Sequence, residues 1–336
     1  MKLRLSLMLL LLAVAVVSSP LAASAQDENI TPEQIEELRN ALNSAMNDGI
    51  NTVVNGMMIF GAQRSVSSGV FSTNNIGEDY DEDLDVQKLN FEMPLAEEDS
   101  ALIPFISGTL SSVKITSQIP PFIPETGEND FMTIKSDTAA IGGGVHYEVV
   151  ENLTLTGEFG IAYSHVENNY DYHNMVSEYL IKPLIDKQTL NWHMDMLTYM
   201  PAFKALYEIP VGEDSAINLS ARYSHMFNDS YDSSTSGKVN VESNTGLLQS
   251  RIEGVTPLFG YKICEDKLKT RAYFQRSDTF GDFRDNGGLD FFYETGLDFF
   301  ADTKDSSELF SEVGLSLGYV YRDEFTGWRA GVLLSF

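Results

Sequence analysis

The chain has 336 residues, a formal net charge of −27 and a single cysteine. Its 11% aromatic content is too high for a disordered chain, and its acidity argues against nucleic-acid binding, which needs clustered Lys and Arg. One cysteine excludes an intrachain disulfide and a cysteine-clustered zinc site. The length allows two domains, but all-β barrels often exceed about 150 residues as one unit.

The first 25 residues have the pattern of a secretory signal peptide. A basic segment precedes an apolar run at 5–17, and the Ala-Ser-Ala at 23–25 has the small-x-small form that signal peptidase accepts. We predict export and cleavage between Ala25 and Gln26; the alternative is an uncleaved anchor, although the run is short for a membrane span. No later apolar run approaches the roughly 18 residues of a transmembrane helix. The exported protein is then periplasmic, secreted or an outer-membrane β-barrel.

Apolar and polar residues alternate along several stretches with a period of two. Between Leu153 and Tyr163 the apolar residues fall on one face, and residues 289–299 and 313–322 repeat the pattern. Such alternation is typical of a strand with one apolar and one polar face. These stretches exceed the roughly 5–6 residues of soluble strands and match the roughly 9–11 that cross an outer membrane. Because backbone groups in lipid must be paired within the protein, such strands can span only as a closed barrel.

Twelve antiparallel strands are predicted, an even number as expected for a bacterial barrel. Long connections alternate with short ones up to the last hairpin, as extracellular loops and periplasmic turns do in outer-membrane barrels. Residues 239–263 are kept as one strand with an irregularity near Gly254, because dividing them would break this alternation. The predicted strands are 55–72, 85–95, 101–116, 131–149, 152–166, 190–209, 215–228, 239–263, 268–277, 289–301, 308–322 and 325–336.

The last strand carries an alternating motif that ends on an aromatic residue. Its apolar positions are Trp328, Ala330, Val332, Leu334 and Phe336. A terminal Phe on an amphipathic strand resembles the signal that the barrel assembly machinery reads; an ordinary closing strand is the alternative. Together with the signal peptide, the motif predicts location in the outer membrane of a Gram-negative cell. The expected partners are outer-membrane lipid and lipopolysaccharide, and during biogenesis the barrel assembly machinery and periplasmic chaperones.

A helix is predicted ahead of the strands, over residues 31–48. Thr31 suits the N-cap, Pro32 suits the first helical position, and apolar residues follow at helical spacing until a stop at Asp48-Gly49. The helix is amphipathic, so one face is buried, either inside the barrel lumen or against the periplasmic rim. The chain is thus divided into a signal peptide (1–25), an N-terminal segment (26–54) and a barrel (55–336).

The signal peptide, the 31–48 helix, about twelve strands and the terminal Phe336 together resemble the solitary outer-membrane autotransporter-like β-barrel family. The resemblance covers nearly the whole mature chain and implies an autotransporter translocator domain that lacks a passenger. Only residues 26–30 precede the helix, and the Asn-Asn pair of self-cleaving members is absent from it. Passenger secretion and self-cleavage are therefore not expected. We expect a non-enzymatic, porin-like barrel that acts as a narrow or helix-plugged pore or as a structural membrane protein.

Candidate chemistry is sparse along the chain. Ser164-His165 and Ser224-His225 are adjacent pairs, but neighbouring strand residues point to opposite faces and cannot form a nucleophile–base contact. Charges of both signs on the predicted lumen face favour a salt-bridged, partly closed interior. No catalytic residue, cofactor or metal site is expected. Two alternatives stay open: a surface adhesin or receptor that works through acidic extracellular loops, and a barrel lipid hydrolase with a triad assembled across strands.

Overall fold

The structure is a computed structural model of the chain. It describes residues 49–63, 69–73, 82–96, 100–119, 128–175, 177–187, 190–212, 214–235, 239–263, 266–286, 289–303, 311–323 and 325–335. The signal cleavage site at Ala25 and Gln26, the 31–48 helix and Phe336 lie outside the described residues. No helix among the described residues is long and apolar enough to cross a membrane.

Within the described residues, twelve antiparallel strands form one closed barrel, in which consecutive strands pair and the first strand closes against the last. The strands are β1 (Gly69–Thr73), β2 (Glu82–Pro94), β3 (Leu102–Ile119), β4 (Asp130–Val150), β5 (Leu153–Asp171), β6 (Trp192–Pro210), β7 (Ala216–Ser233), β8 (Glu242–Ile263), β9 (Asp266–Gly281), β10 (Phe291–Asp302), β11 (Glu312–Arg322) and β12 (Phe325–Ser335). The predicted all-β barrel of about twelve strands is confirmed. The register of β8 shifts between Pro257 and Lys262, just beyond the predicted irregularity near Gly254.

The period of two puts apolar side chains on the outside of the barrel and polar side chains in the lumen. In β11, Leu315 and Leu317 are exposed on the outer face, while Ser316 between them is buried inside. Trp328 and Ile141 are more than 70% exposed, although water would not tolerate a continuous apolar surface of this extent. The outer face is therefore a lipid-facing belt. Its members include Leu89, Leu110, Ile141, Phe159, Phe203, Leu315, Leu317, Trp328 and Val332.

At one end of the barrel the strands continue beyond the apolar belt. The outer face of β5 changes from Ile161 and Tyr163 to His165 and Glu167, yet the ladder to β6 continues to Asn168. Most of the longer connections, among them residues 172–191, join the strands at this end, which is therefore the extracellular one.

A connection at the extracellular end is anchored by the buried carboxylate of Asp130 and by the half-buried carboxylate of Asp186. Asp130 accepts hydrogen bonds from the Tyr170 hydroxyl at 2.9 Å and from the backbone amides of His173 at 2.7 Å and Asn174 at 2.9 Å. Tyr172 donates to Asp186 at 3.4 Å, and burial raises the pKa of the Tyr172 phenol above its ordinary value. The connection then forms short helical turns at Ser177–Ile181 and Lys182–Ile185.

Residues 49–62 form a helix inside the barrel, here called the lumen helix. The predicted strand 55–72 is therefore wrong over residues 55–62, and the first described strand begins at Gly69. Gly49 is the first described residue of this helix; the predicted end of the 31–48 helix at Asp48 lies outside the described residues and stays a prediction. The apolar residues at 50, 53, 54, 57 and 58 follow the helical spacing i, i+3, i+4, i+7 and i+8, a signal that the strand prediction overlooked.

Candidate functional site in the barrel lumen

The lumen helix fills the extracellular half of the lumen with apolar side chains. Val54, Met57, Met58 and Ile59 have no exposed surface. They belong to one cluster with inward-facing residues from around the barrel: Val86, Val113, Ile134, Val166, Met194, Met196, Met226, Leu247, Phe292, Val320 and Phe325. Burial of this apolar area is the main force that holds the helix in place.

Aromatic rings and two glycines fit the helix closely to the wall. The Phe60 ring lies with its centroid 6.0 Å from those of both Phe292 and Phe325. A Cβ atom at Gly56 would come within 3.2 Å of the Phe283 ring, and one at Gly61 would come equally close to Ser111 on β3. The glycines permit a close approach that a Cβ atom would tighten, so that the wall side chains would have to shift.

Polar side chains fix the rotation of the helix within this apolar surround. Asn228 on β7 donates to Asn55 Oδ1 and to Ser243 Oγ, each at 3.0 Å, and Ser243 in turn donates to Asn55 Oδ1. Ser164 Oγ donates to Met58 Sδ at 3.4 Å. Because a buried polar atom left without a partner costs free energy, these contacts favour one rotational setting of the helix.

Two cations of the wall hold the carboxyl-terminal end of the lumen helix. Lys88 Nζ donates to the Phe60 carbonyl oxygen at 3.0 Å and also to that of Gln63. Arg222 donates to Gln63 Oε1 at 3.1 Å and to Glu158 at 3.0 Å. Positive groups at this end satisfy the last carbonyls and complement the helix dipole. At the other end of the helix Thr52 donates to the Asn286 carbonyl, so the amino-terminal end faces the extracellular mouth.

Ion pairs fill the lumen wall on the side of β8 to β12. The Arg271 guanidinium lies 3.1 Å from Glu312, 3.6 Å from Asp298 and 3.7 Å from Glu253. Arg329 lies 3.4 Å from Glu294 and donates to the Tyr273 hydroxyl. These contacts confirm the salt-bridged interior that the mixed charges predicted.

Below the lumen helix, towards the periplasmic end, lies a polar cavity of about 440 Å³, here called the chamber. Polar and charged residues from β2 and from β4 to β9 line it: Asn90, Glu92, His146, Thr156, Glu158, Lys204, Ser220, Arg222, Gln249, Arg251, Glu253 and Gln275. Arg222 thus belongs to both the helix anchor and the chamber wall. No sequence motif marks the chamber, because its residues come together only through the strand register.

One array in the chamber was missed by the sequence reasoning. The imidazole of His146 lies 2.8 Å from Thr156 Oγ1 and 3.1 Å from Glu92 Oε1, and its ring stacks on Phe105 with centroids 4.4 Å apart. An acid, an imidazole and a hydroxyl in this order resemble a nucleophilic triad. His146 and Thr156 are direct cross-strand partners, so the sheet register alone produces the contact.

The structure separates the two adjacent Ser–His pairs as predicted. Ser164 and Ser224 are buried in the lumen, whereas His165 faces outward and contacts Asp195 at 2.6 Å. His225 also faces outward, 3.0 Å from the Tyr223 hydroxyl. Among the described residues no three His, Cys, Asp or Glu side chains are grouped as a metal site requires.

The described part of the carboxyl-terminal motif lies on the lipid-facing side of β12. Trp328, Ala330 and Val332 are exposed there, with Arg329 buried on the lumen side between the first two. Leu334 pairs with Val313 of β11. The position of these residues does not test their role as an assembly signal.

Residues 60–336 match the family model described as the solitary outer membrane autotransporter β-barrel domain. The transport unit of the autotransporter AIDA-I from Escherichia coli superposes with a TM-score of 0.51 at 9% identity, covering 86% of this chain and 99% of that one. The β domain of the Bordetella autotransporter BrkA gives a TM-score of 0.49 at 11% identity, covering 80% and 97%. At such identities the similarity to AIDA-I shows the fold alone. No curated protein sequence gives a significant match.

Proposed function

The chain belongs to the solitary outer membrane autotransporter β-barrel family, and on this premise we propose that it is an outer-membrane barrel whose own helix closes its pore. In this proposal the resting protein is a narrow, plugged pore with a structural role in the membrane. It differs from an open porin because the lumen helix occupies the extracellular half of the channel.

One observation carries the proposal: the wall holds the lumen helix from all sides. Contacts reach it from β2 through Lys88, from β5 through Ser164, from β7 through Arg222 and from β10 through Phe292. A barrel of twelve strands leaves little free cross-section once a helix enters it. We therefore expect a low conductance in the intact protein.

Single-channel conductance in planar bilayers tests the plug. The mature protein is compared with a variant that lacks residues 26–62, which removes the lumen helix and leaves every described strand in place. A low conductance that rises several-fold on deletion supports the plug. An equally large conductance in both proteins would contradict it and indicate an open pore.

We propose that the barrel is not an enzyme, in spite of the array of Glu92, His146 and Thr156. Thr156 is only 6% exposed and its hydroxyl lies on a β-branched carbon, so a substrate carbonyl has poor access to it. Hydrolysis of p-nitrophenyl butyrate by the purified protein should equal that of a His146→Ala variant. A clear excess in the intact protein would establish a hydrolase.

A second candidate function, surface adhesion, is favoured by exposed, largely apolar side chains at the extracellular end, on the connection after β5 and on the end of β7. Met175, Tyr179 and Tyr231 are 66%, 69% and 63% exposed, beyond the lipid belt. Replacing residues 175–187 by a Gly-Ser linker should abolish adhesion of expressing cells to surfaces and leave the conductance unchanged. Adhesion that survives this replacement would remove the candidate.

The targeting and assembly residues also remain proposals. We propose cleavage between Ala25 and Gln26, which amino-terminal sequencing of the purified protein tests. We further propose that Trp328, Ala330, Val332, Leu334 and Phe336 form the signal read by the barrel assembly machinery. Deletion of Phe336 should then lower the amount of assembled barrel in the outer membrane, and an unchanged amount would reject the signal. We also propose contacts with periplasmic chaperones during biogenesis and with lipopolysaccharide in the membrane, because an outer-membrane barrel meets both.

A further inference from the structure

The chamber contains a lysine that forms no ion pair with the described residues of the chamber wall. Lys204 lies on the inner face of β6, and the other two wall cations are already paired, Arg222 with Glu158 at 3.0 Å and Arg251 with Glu253 at 2.8 Å. Within the described part of the chain, no acceptor lies at hydrogen-bonding or ion-pair distance from the Lys204 ammonium, and the carboxylates of Glu253 and Glu92 act on it only from farther away. A cation in such a position favours an anion beside it.

A second polar group of the chamber wall lacks a partner as well. Gln249 on β8 is 4% exposed, and neither its amide nitrogen nor its amide oxygen has a hydrogen-bond partner among the described residues. A buried amide in this state costs free energy that a ligand with hydroxyl groups would recover. The amide can both donate and accept, which suits a hydroxyl.

The rest of the wall indicates which anion would fit. One unpaired cation suits a single carboxylate better than a doubly charged group. Further hydrogen-bonding groups come from Asn90, Ser220 and Gln275, and the volume of about 440 Å³ is within the range of about 300–1,000 Å³ typical of small-molecule sites.

We propose that the chamber binds a small hydroxylated carboxylate, with its carboxylate beside Lys204 and its hydroxyl groups on Gln249 and neighbouring polar side chains. This binding does not require the lumen helix to close the pore, so binding and conductance are separate measurements. Loss of ligand binding would leave the plug proposal intact, and a large conductance of the intact protein would leave the binding proposal intact.

Isothermal titration calorimetry of the purified mature protein in detergent tests the site. Three probes separate charge from hydroxyl recognition: D-gluconate carries both, acetate carries the charge, and sorbitol carries the hydroxyls. Gluconate should bind at least about tenfold more tightly than either of the others, because both kinds of group are satisfied at once. Equal binding of gluconate and acetate, or of gluconate and sorbitol, would overturn the assignment.

Variants locate the binding to the chamber. Lys204→Met should weaken gluconate binding at least about tenfold, Lys204→Arg should keep most of it, and Gln249→Leu should weaken it several-fold. Lys267→Met is the matched control, because it removes one positive charge at an exposed ion pair with Asp214 outside the chamber. Undetectable gluconate binding in the intact protein, or equal affinity in the Lys204→Met and Lys267→Met variants, would overturn the proposal.

Discussion

The two halves of the lumen are built in opposite ways. The extracellular half is filled by a helix whose apolar residues interlock with Val, Met and Phe side chains of the wall. The periplasmic half contains no described helix; ion pairs and amides line a chamber instead. The same twelve strands surround both halves, so the difference between a filled and an open half comes from the residues that face the lumen.

This difference teaches which interactions hold the plug. Apolar burial is favourable wherever water is removed, whereas buried ion pairs lose in desolvation much of what they gain in attraction. The charged half therefore adds little net stability and keeps room for water or solutes. The apolar half stabilises the plug, and Lys88 and Arg222 lie at the border where the helix ends.

The largest expected effect comes from placing one charge in each half. Met58→Lys puts an ammonium into the apolar cluster, where the desolvation penalty is several kcal/mol and the described cluster residues include no carboxylate. The lumen helix should leave the lumen, and the single-channel conductance should match that of the variant lacking residues 26–62. Ser220→Lys is the matched control in the chamber and should stay closed. Equal conductance in both variants would contradict the claim that only the apolar half holds the lumen helix in place.

A cavity in the apolar half should have a smaller but clear effect. Phe60→Ala removes a ring that packs against both Phe292 and Phe325, a loss of about 3–5 kcal/mol in well-packed sites. The open fraction in single-channel recordings should rise by about two orders of magnitude or more. Trp192 fluorescence, from a ring buried in the same cluster, should shift in parallel. An unchanged open fraction would show that the packing of Phe60 does not hold the plug.

The border anchor should matter less than the packing. Lys88→Met keeps the length of the side chain but removes the donor to the carbonyls of Phe60 and Gln63. Hydrogen bonds from charged groups contribute about 1.5–3 kcal/mol, so the open fraction should rise about ten- to hundredfold. Lys135→Met, on the outer face of β4, is the control and should leave gating unchanged. A larger rise in the open fraction than that of Phe60→Ala would show that the border anchor holds the lumen helix more strongly than the apolar packing does.

The barrel wall could be predicted from the sequence, but the contents of the lumen could not. Alternation in stretches such as 153–163 depends only on the chain itself and on the lipid outside. It ends where β5 rises above the membrane, which is why the strand runs to Asp171 and not to residue 166 as predicted. The lumen helix was taken for a strand although its apolar residues at 50–58 follow helical spacing, because the short apolar run at 57–60 also suits a strand and Gly56 and Gly61 lower its helix propensity. Lys204 on β6 and Gln249 on β8 flank β7 and line the same chamber only through the register of these strands, so the sequence carries no local signal for it.

The smallest expected effect concerns an ion pair that lies in water outside both halves. Lys267 Nζ donates to both carboxylate oxygens of Asp214, at 2.8 and 2.9 Å, and this contact lowers the pKa of the Asp214 carboxyl. A lowered folded-state pKa contributes stability above the unfolded pKa and loses it as the pH falls through the folded value. Both side chains are exposed, so the contribution is screened. Lys267→Met should return the pKa of Asp214 towards its ordinary value, as measured by NMR titration, with no change in the urea midpoint at neutral pH. A marked drop in that midpoint would show that exposed charges support the barrel, and the ion pairs lining the chamber would then have to be assigned a stabilising role as well.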